Sequence, residues 1–444
     1  MSIKPKLTAF DTTMITVSLV IGIGIFRVPA MVAEATGGRL LYFLAWGLGG
    51  LVSLMGALTF AEIGSRFPKP GAFVKVVAET YHPALAFMLN WTGLLLVNGA
   101  GAAAVAVIGA EHLVPILLPA PLQTQAAVQA TAAALVLILF GLNYLGIKTG
   151  ARAQNVLTLI KVAMIAALVL AAALAPGRPQ DASPVPASGA SGPSSWWLAL
   201  ALGFIPVFYT YGGYQNTINF GADVREARRN LPRAILAGIL IIIACYLLIN
   251  LAYVRVLDIP RLAGEKLAAA RVADIVFGRA GYLFFSLAIF LSALGFINVN
   301  LMQNPRAFLA LAEERALPGV FGRVNARTQV QEFTLAFFTA TILLSLFLLG
   351  RFENIVGTVI FIDCLNIACV ASTVFFLRAK ASPGSEAGAA RTPLYPLLPA
   401  VFVAFLLGMS VNVLLTQTRS ALVGAVFSLT GLPVFLFMRR WNAA

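Results

Sequence analysis

Apolar stretches of about twenty residues recur along the chain, separated by short polar segments, and each is long enough to cross a bilayer as a helix. Twelve such spans are predicted, at about 11–36, 41–64, 84–115, 125–145, 153–175, 196–219, 232–254, 276–302, 331–349, 354–377, 394–416 and 420–438. The pattern is that of an all-α polytopic membrane protein. The first span is interrupted by Ile21-Gly22-Ile23-Gly24-Ile25-Phe26-Arg27-Val28-Pro29, where two glycines and a proline disfavour a continuous helix. Backbone that leaves the helix at membrane depth must be buried in protein or line a watery cavity. A broken span would open its second half with free N–H groups, suited to an anionic ligand group. A kinked helix with glycines at a helix contact is the other reading of this stretch.

Two breaks in composition divide the spans. Residues 176–195 are rich in Pro, Ser, Ala and Gly and lie between spans five and six, and a second polar stretch at 380–393 follows span ten. The spans therefore group as five, five and two. An odd number per unit makes the second unit insert upside down, which is the inverted-repeat plan of many secondary transporters. Residues 1–379 are expected to form a core of two inverted five-helix repeats, about 11–175 and 196–378. Residues 380–444 add a loop and the last two helices. The plan requires span six to be interrupted where span one is, and span six contains Phe208-Tyr209-Thr210-Tyr211-Gly212-Gly213-Tyr214-Gln215-Asn216. Two interrupted spans at corresponding positions point to a binding site near the midplane.

Composition agrees with this picture: of 444 residues, 60% are hydrophobic and only 11% charged, which no soluble domain requires. The net charge of +14 does not indicate nucleic acid, because the basic residues are scattered over many short loops. With the N terminus inside, the inner loops carry 20 Lys and Arg and the outer loops 9. That asymmetry predicts a multi-pass plasma (inner) membrane protein with both termini cytoplasmic. No cleavable signal peptide is expected from the short polar start. Cys245, Cys364 and Cys369 all fall in apolar segments and form neither a disulfide framework nor a metal motif. Hydrolase, metalloprotease and phosphate-loop motifs are absent, so neither an enzyme nor a cofactor is expected, and energy must come from gradients or exchange. A channel remains the alternative class, although no filter-like repeat is visible.

Several motifs in this order resemble the amino acid–polyamine–organocation superfamily and, within it, the L-type amino-acid transporter family. They are the Ile-Gly-x-Gly-Ile-Phe break, Ala61-Glu62-Ile63-Gly64 before Pro70-Gly71, and Tyr211-Gly212-Gly213-Tyr214 followed by Arg229-Asn230-Leu231-Pro232. Ser292, Gly295, Asn298 and Arg306 with Leu317-Pro318 complete the set. The resemblance runs from about residue 8 to 380, and spans eleven and twelve match only in position. It implies a LeuT-type 5+5 inverted repeat of twelve helices, with helices 1 and 6 broken, and alternating-access transport of an amino acid. In that family the substrate carboxylate meets N–H groups of the first break, and the amino group meets carbonyls of both. Carried over, this assigns Gly22, Ile23, Gly24 and Ile25 in span one, and Tyr209, Thr210, Tyr211 and Gly212 in span six, with Tyr209 at the aromatic gate. The family usually has Ser where this chain has Ile23. A neutral amino acid is expected as substrate, with a cationic amino acid or polyamine as the alternative. Animal members are disulfide-linked to a heavy subunit through a cysteine in the loop after span three, and residues 118–124 here have none. No such partner is expected.

Lys161 and Asp363 are charges placed deep inside spans. Lys161 is about nine residues, or two and a half turns, from Arg152, too deep for easy snorkelling. The family has a lysine here, where sodium-coupled relatives place a sodium ion. Carbonyls of span one and the Ser292 hydroxyl are its expected partners, and sodium-independent transport is the expected result. Asp363 matches a cavity-facing amide of the family's tenth span and would attract a cationic group or exchange protons; a protonated carboxyl bonded to a neighbouring helix is the structural alternative. Arg27 suits either an outer vestibule or a gate salt bridge. Asn98 matches a pocket-lining neighbourhood of the family, and with Asn250 it also suits interhelical hydrogen bonding.

Overall fold

The computed structural model describes residues 4–22, 24–94, 98–175, 195–265, 268–348, 356–380 and 389–441. These fold into sixteen α-helices with short 3-10 turns and no named β-strand among the described residues. Nine helices are long and apolar enough to cross a membrane, and a bent pair at the N terminus makes a tenth candidate. The protein is thus a multi-pass membrane protein built from helices.

The predicted first span is two helices, α1 (Ala9–Val20) and α2 (Gly24–Thr36), which meet at 44°. A capping box starts α1: the Thr8 hydroxyl accepts the Asp11 N–H, and the Asp11 carboxylate accepts the Thr8 N–H. The second span is α3 (Arg39–Arg66), and the short α4 (Ala72–Thr80) starts from Gly71 in the left-handed region. The third predicted span contains α5 (Pro83–Thr92), continued by Gly93 and Leu94 in π-type geometry, and α6 (Asn98–Leu117); residues 95–97 lie outside the described residues. Spans four and five are α7 (Gln125–Tyr144) and α8 (Ile147–Leu174).

Span six is interrupted as the repeat plan requires. Helix α9 (Trp196–Thr210) stops at Tyr211, and Tyr214–Asn219 continues as a 3-10 turn. The seventh helix, α10 (Ala227–Gly264), is longer than its apolar run and kinks at Asp258, which has a positive φ. The basic stretch after it contains α11 (Ala268–Phe277), and α12 (Gly281–Glu313) follows. The last four are α13 (Glu332–Leu348), α14 (Val356–Ala379), α15 (Leu397–Thr416) and α16 (Thr418–Trp441).

The interrupted elements pack together at the centre. Helix α1 lies against α10 and α8, α2 lies against α9 and α10, and the 3-10 turn of span six lies against α1 and α3. Exposed leucines, valines and phenylalanines ring the outside, as a lipid-facing surface requires. The face that carries the N terminus is laced by long-range contacts. Leu7 bridges Val224, Pro70 bridges Phe220, and the Gly71 N–H donates to the Asn219 carbonyl at 3.0 Å. Arg306 binds Asp223 through both oxygens, at 2.6 and 3.1 Å, and its guanidinium covers the Phe220 ring.

Candidate functional site

The two interruptions touch. Gly213 has φ +122°, and a Cβ on it would run into the backbone carbonyl of Leu19, so this position requires glycine for conformation and for space. A Cβ on Gly24 would lie 3.4 Å from the Thr210 side chain. Between the two broken ends sits the buried Tyr246 hydroxyl of α10. It is 3.1 Å from the carbonyl of Val20, which ends α1, and 3.1 Å from the carbonyl of Thr210, which ends α9. Helix C-termini carry partial negative charge and leave carbonyls unpaired within the helix. One hydroxyl hydrogen serves these two carbonyls, and the Val20 carbonyl also accepts the Gly22 N–H at 2.8 Å. Tyr246 in turn packs edge-on to Trp46 and tilted against Tyr211.

Lys161 closes the same broken end from the other side. Its side chain is 2% exposed, and its Nζ donates to the Ile21 carbonyl at 2.5 Å. Ser18 and Ser292 are fully buried, and neither hydroxyl has a partner among the described residues. Ser292 and Lys161 share one wall of a void of about 10 Å³, otherwise lined mainly by apolar side chains. A Cβ on Gly295 would lie 3.2 Å from Lys161 Nζ and 3.0 Å from Ser18 Oγ. Next to this group runs a hydrogen-bonded chain across four helices. Asn143 donates to Asn298, Asn298 to Gln154, Gln154 to Thr158, and Thr158 to the Met14 carbonyl.

A cavity of about 300 Å³ opens beside the breaks. This is at the small end of the range for small-molecule sites, roughly 300–1,000 Å³. Its walls are the last turn of α1 at Leu19, the end of α9 and the span-six turn, α5, α12 and α14. Its polar lining is mostly carboxamides, with Tyr209, Tyr214, Cys364 and one carboxylate, Asp363, and among the described residues it contains neither Lys nor Arg. Asp363 is exposed to the cavity and has no hydrogen-bond or ion-pair partner among the described residues. The Tyr209 hydroxyl lies 3.2 Å from Cys364 Sγ on the same wall.

The residues singled out in the sequence fall into three groups. Tyr209, Gly212, Asn98 and Asp363 line the cavity together. Gly22, Gly24, Ile25, Thr210 and Tyr211 lie at the breaks but outside its walls. The Gly22 N–H donates to the Val20 carbonyl at 2.8 Å, and Ile25 and Tyr211 are fully buried. Thr210 turns its hydroxyl back to the Pro206 carbonyl at 2.8 Å. Ile23 lies outside the described residues. Lys161 and Ser292 form the separate buried group behind span one.

Sequence reasoning missed Tyr246, Asn90, Asn300, Gln303 and Asn366. Asn300, Gln303 and Ala307 share one face of α12 by their three- and four-residue spacing, and the polar members of that face were a readable signal. Asn304, also one turn from Asn300, accepts from the Asn98 amide at 2.6 Å.

The sequence model of the amino acid permease family matches residues 7–438. Over 451 residues the chain is 27% identical to a serine/threonine exchanger, SteT, of Bacillus subtilis, covering 100% of this chain and 98% of that protein. It is 24% identical to the human large neutral amino acids transporter small subunit 2, over 99% of this chain and 82% of the relative. It is 25% identical to the human cystine/glutamate transporter, over 99% and 86%.

Proposed function

The chain belongs to the amino acid permease family, and from that premise we propose that it carries an amino acid across the plasma membrane by alternating access, with both termini cytoplasmic. One observation carries this reading: a cavity lined by both apolar and polar side chains lies against two interrupted spans that contact each other at the centre of the protein. The relatives are by name transporters and exchangers of amino acids, and nothing in the cavity resembles a catalytic constellation. The interruptions of spans one and six are what a 5+5 inverted repeat requires, so we assign residues 1–379 to that core and 380–444 to an added helix pair.

Transport is proposed to be sodium-independent. A sodium site behind span one would need carbonyls and hydroxyls of spans one and eight beside a neutral span five. Here the ammonium of Lys161 bonds the Ile21 carbonyl and lines a small void together with Ser292. A fixed positive charge in a poorly screened interior repels a second cation. No heavy subunit is proposed, since residues 118–124 offer no cysteine for a disulfide.

The test is reconstitution of the purified chain alone into proteoliposomes, with counterflow of labelled amino acids in choline and in sodium buffer. Trans-stimulated uptake that is equal in both buffers is expected. Uptake without trans-stimulation would indicate a channel, and a need for sodium or a second chain would overturn those parts of the proposal. An imposed pH gradient separates proton-linked uptake, which rises as the outside is acidified, from exchange. Tyr209→Ala and Gly24→Val should both abolish uptake while the protein still reaches the membrane. A neutral and a cationic substrate make opposite demands on Asp363, the one charge among the described residues of the cavity wall.

A further inference from the structure

Helix α14 presents Asp363 and Asn366 to the cavity one turn apart. The amide orientation of Asn366 is fixed by a short relay. Asn90 donates its Nδ2 to the Ala86 carbonyl at 2.9 Å, so its Oδ1 must face Asn366. Asn366 therefore turns its Nδ2 to Asn90 Oδ1, at 3.2 Å. Flipping either amide would set two oxygens, or two NH2 groups, against each other. The relay leaves Asn366 Oδ1 without a partner among the described residues, on a side chain only 5% exposed. A buried acceptor in that state is expensive unless a ligand supplies a donor. One turn earlier on the same helix, the Asp363 carboxylate also has no partner among the described residues, and the described lining contains no cation to neutralise it.

We infer that Asp363 and Asn366 form an acceptor-only subsite that selects amino acids whose side chain ends in a cationic, donor-rich group, an ammonium or a guanidinium. This rests on the amino acid reading above and decides between its two substrate classes. An ammonium carries three donors and a guanidinium five, and neither has an acceptor that would clash with the two oxygens. Leu89, Leu94 and Ile367 line the same cavity and suit the aliphatic stem of such a side chain. An anionic side chain would meet an uncompensated carboxylate and is excluded. An apolar side chain would leave both acceptors dry and unpaired.

The experiment uses the purified full chain in detergent and in proteoliposomes. Thermal shifts are measured with L-arginine, L-lysine, L-leucine, L-serine, L-glutamate and putrescine, and competition against a labelled amino acid follows. Arginine or lysine should stabilise the wild type at concentrations at least about tenfold below those needed for leucine or serine. In Asp363→Asn the preference for arginine over leucine should fall at least about tenfold. Asn366→Leu should weaken arginine by a smaller factor, about three- to tenfold, because it removes a neutral acceptor. Size-exclusion profiles establish that both variants are folded. If leucine or serine bind best and the Asp363→Asn preference is unchanged, the subsite is refuted while the amino acid reading stands. If putrescine binds through Asp363 and no amino acid does, the acceptor pair stands and the amino acid reading falls. If no compound in the panel binds or is transported, both fall.

Discussion

Single residues at the broken ends have functions that follow from one hydrogen bond each. Lys161→Ala removes the donor to the Ile21 carbonyl and leaves that carbonyl buried, at a cost of about 1–3 kcal/mol. If Lys161 holds span one in register with spans five and eight, the maximal uptake rate should fall at least about tenfold, while the ligand concentration for half-maximal thermal shift moves by less than about threefold. An equal loss in both would mean that Lys161 acts on binding. Tyr246→Phe removes the one hydrogen shared by the Val20 and Thr210 carbonyls. Apparent stability without substrate should drop by about 1–3 kcal/mol, seen as a lower melting temperature. An unchanged melting temperature would show that the hydroxyl bridges nothing of value. Lys161 was legible in the sequence because a charge deep in an apolar run is conspicuous. Tyr246 was not, because a tyrosine in an apolar helix reads as packing until its carbonyl partners, 226 and 36 residues away, are known.

At the scale of elements, apolar run length placed most helices to within a few residues, because a lipid-spanning helix must satisfy its own backbone. The break in span six followed from Gly212-Gly213 and the repeat plan. The third span was expected as one apolar run; α5 and α6 cover its two parts, and residues 95–97 between them lie outside the described residues. What no run length could reveal is that Gly213 presses on Leu19. Gly213→Ala combines a strained φ with a collision against the Leu19 carbonyl. It should lower stability by at least about 2 kcal/mol and abolish uptake. Gly408→Ala is the matched control, a helical glycine of α15 with nothing within 4 Å of the added carbon. It should leave stability unchanged or raise it by up to about 1 kcal/mol. Equal behaviour of the two variants would remove the case that the breaks are locked together.

At the scale of the whole molecule, the family and the helical membrane architecture were legible from ordered motifs, but the polar contact that joins α3 and α14 to the segment before α15 was not. Glu62 was visible as part of a motif in span two; its partner Arg378 is 316 residues away. The Glu62 side chain is fully buried and collects four donors. Arg378 reaches both oxygens, at 2.6 and 2.7 Å, and Arg66 and the Thr392 N–H each add a bond of 2.7 Å. The Arg378 guanidinium also stacks 3.7 Å from the Tyr395 ring centre, just before α15. One carboxylate thus ties α3, α14 and the segment leading into α15. Glu62→Gln keeps the shape, removes the charge facing two guanidiniums, and turns an NH2 group toward other donors. Removing one member of a buried ion pair costs about 3–5 kcal/mol. The exposed pair Lys69–Glu79, on the same face, offers the comparison: Lys69→Ala should cost less than about 1 kcal/mol. Hydrogen exchange separates local from global effects. If Glu62 is the joint, amides of residues 389–396 should lose protection in Glu62→Gln well before those of α10 and α12. Uniform loss across the chain would mean that the pair supports overall stability without anchoring the segment before α15 in particular, and unchanged exchange would show that the last two helices are held by their apolar packing alone.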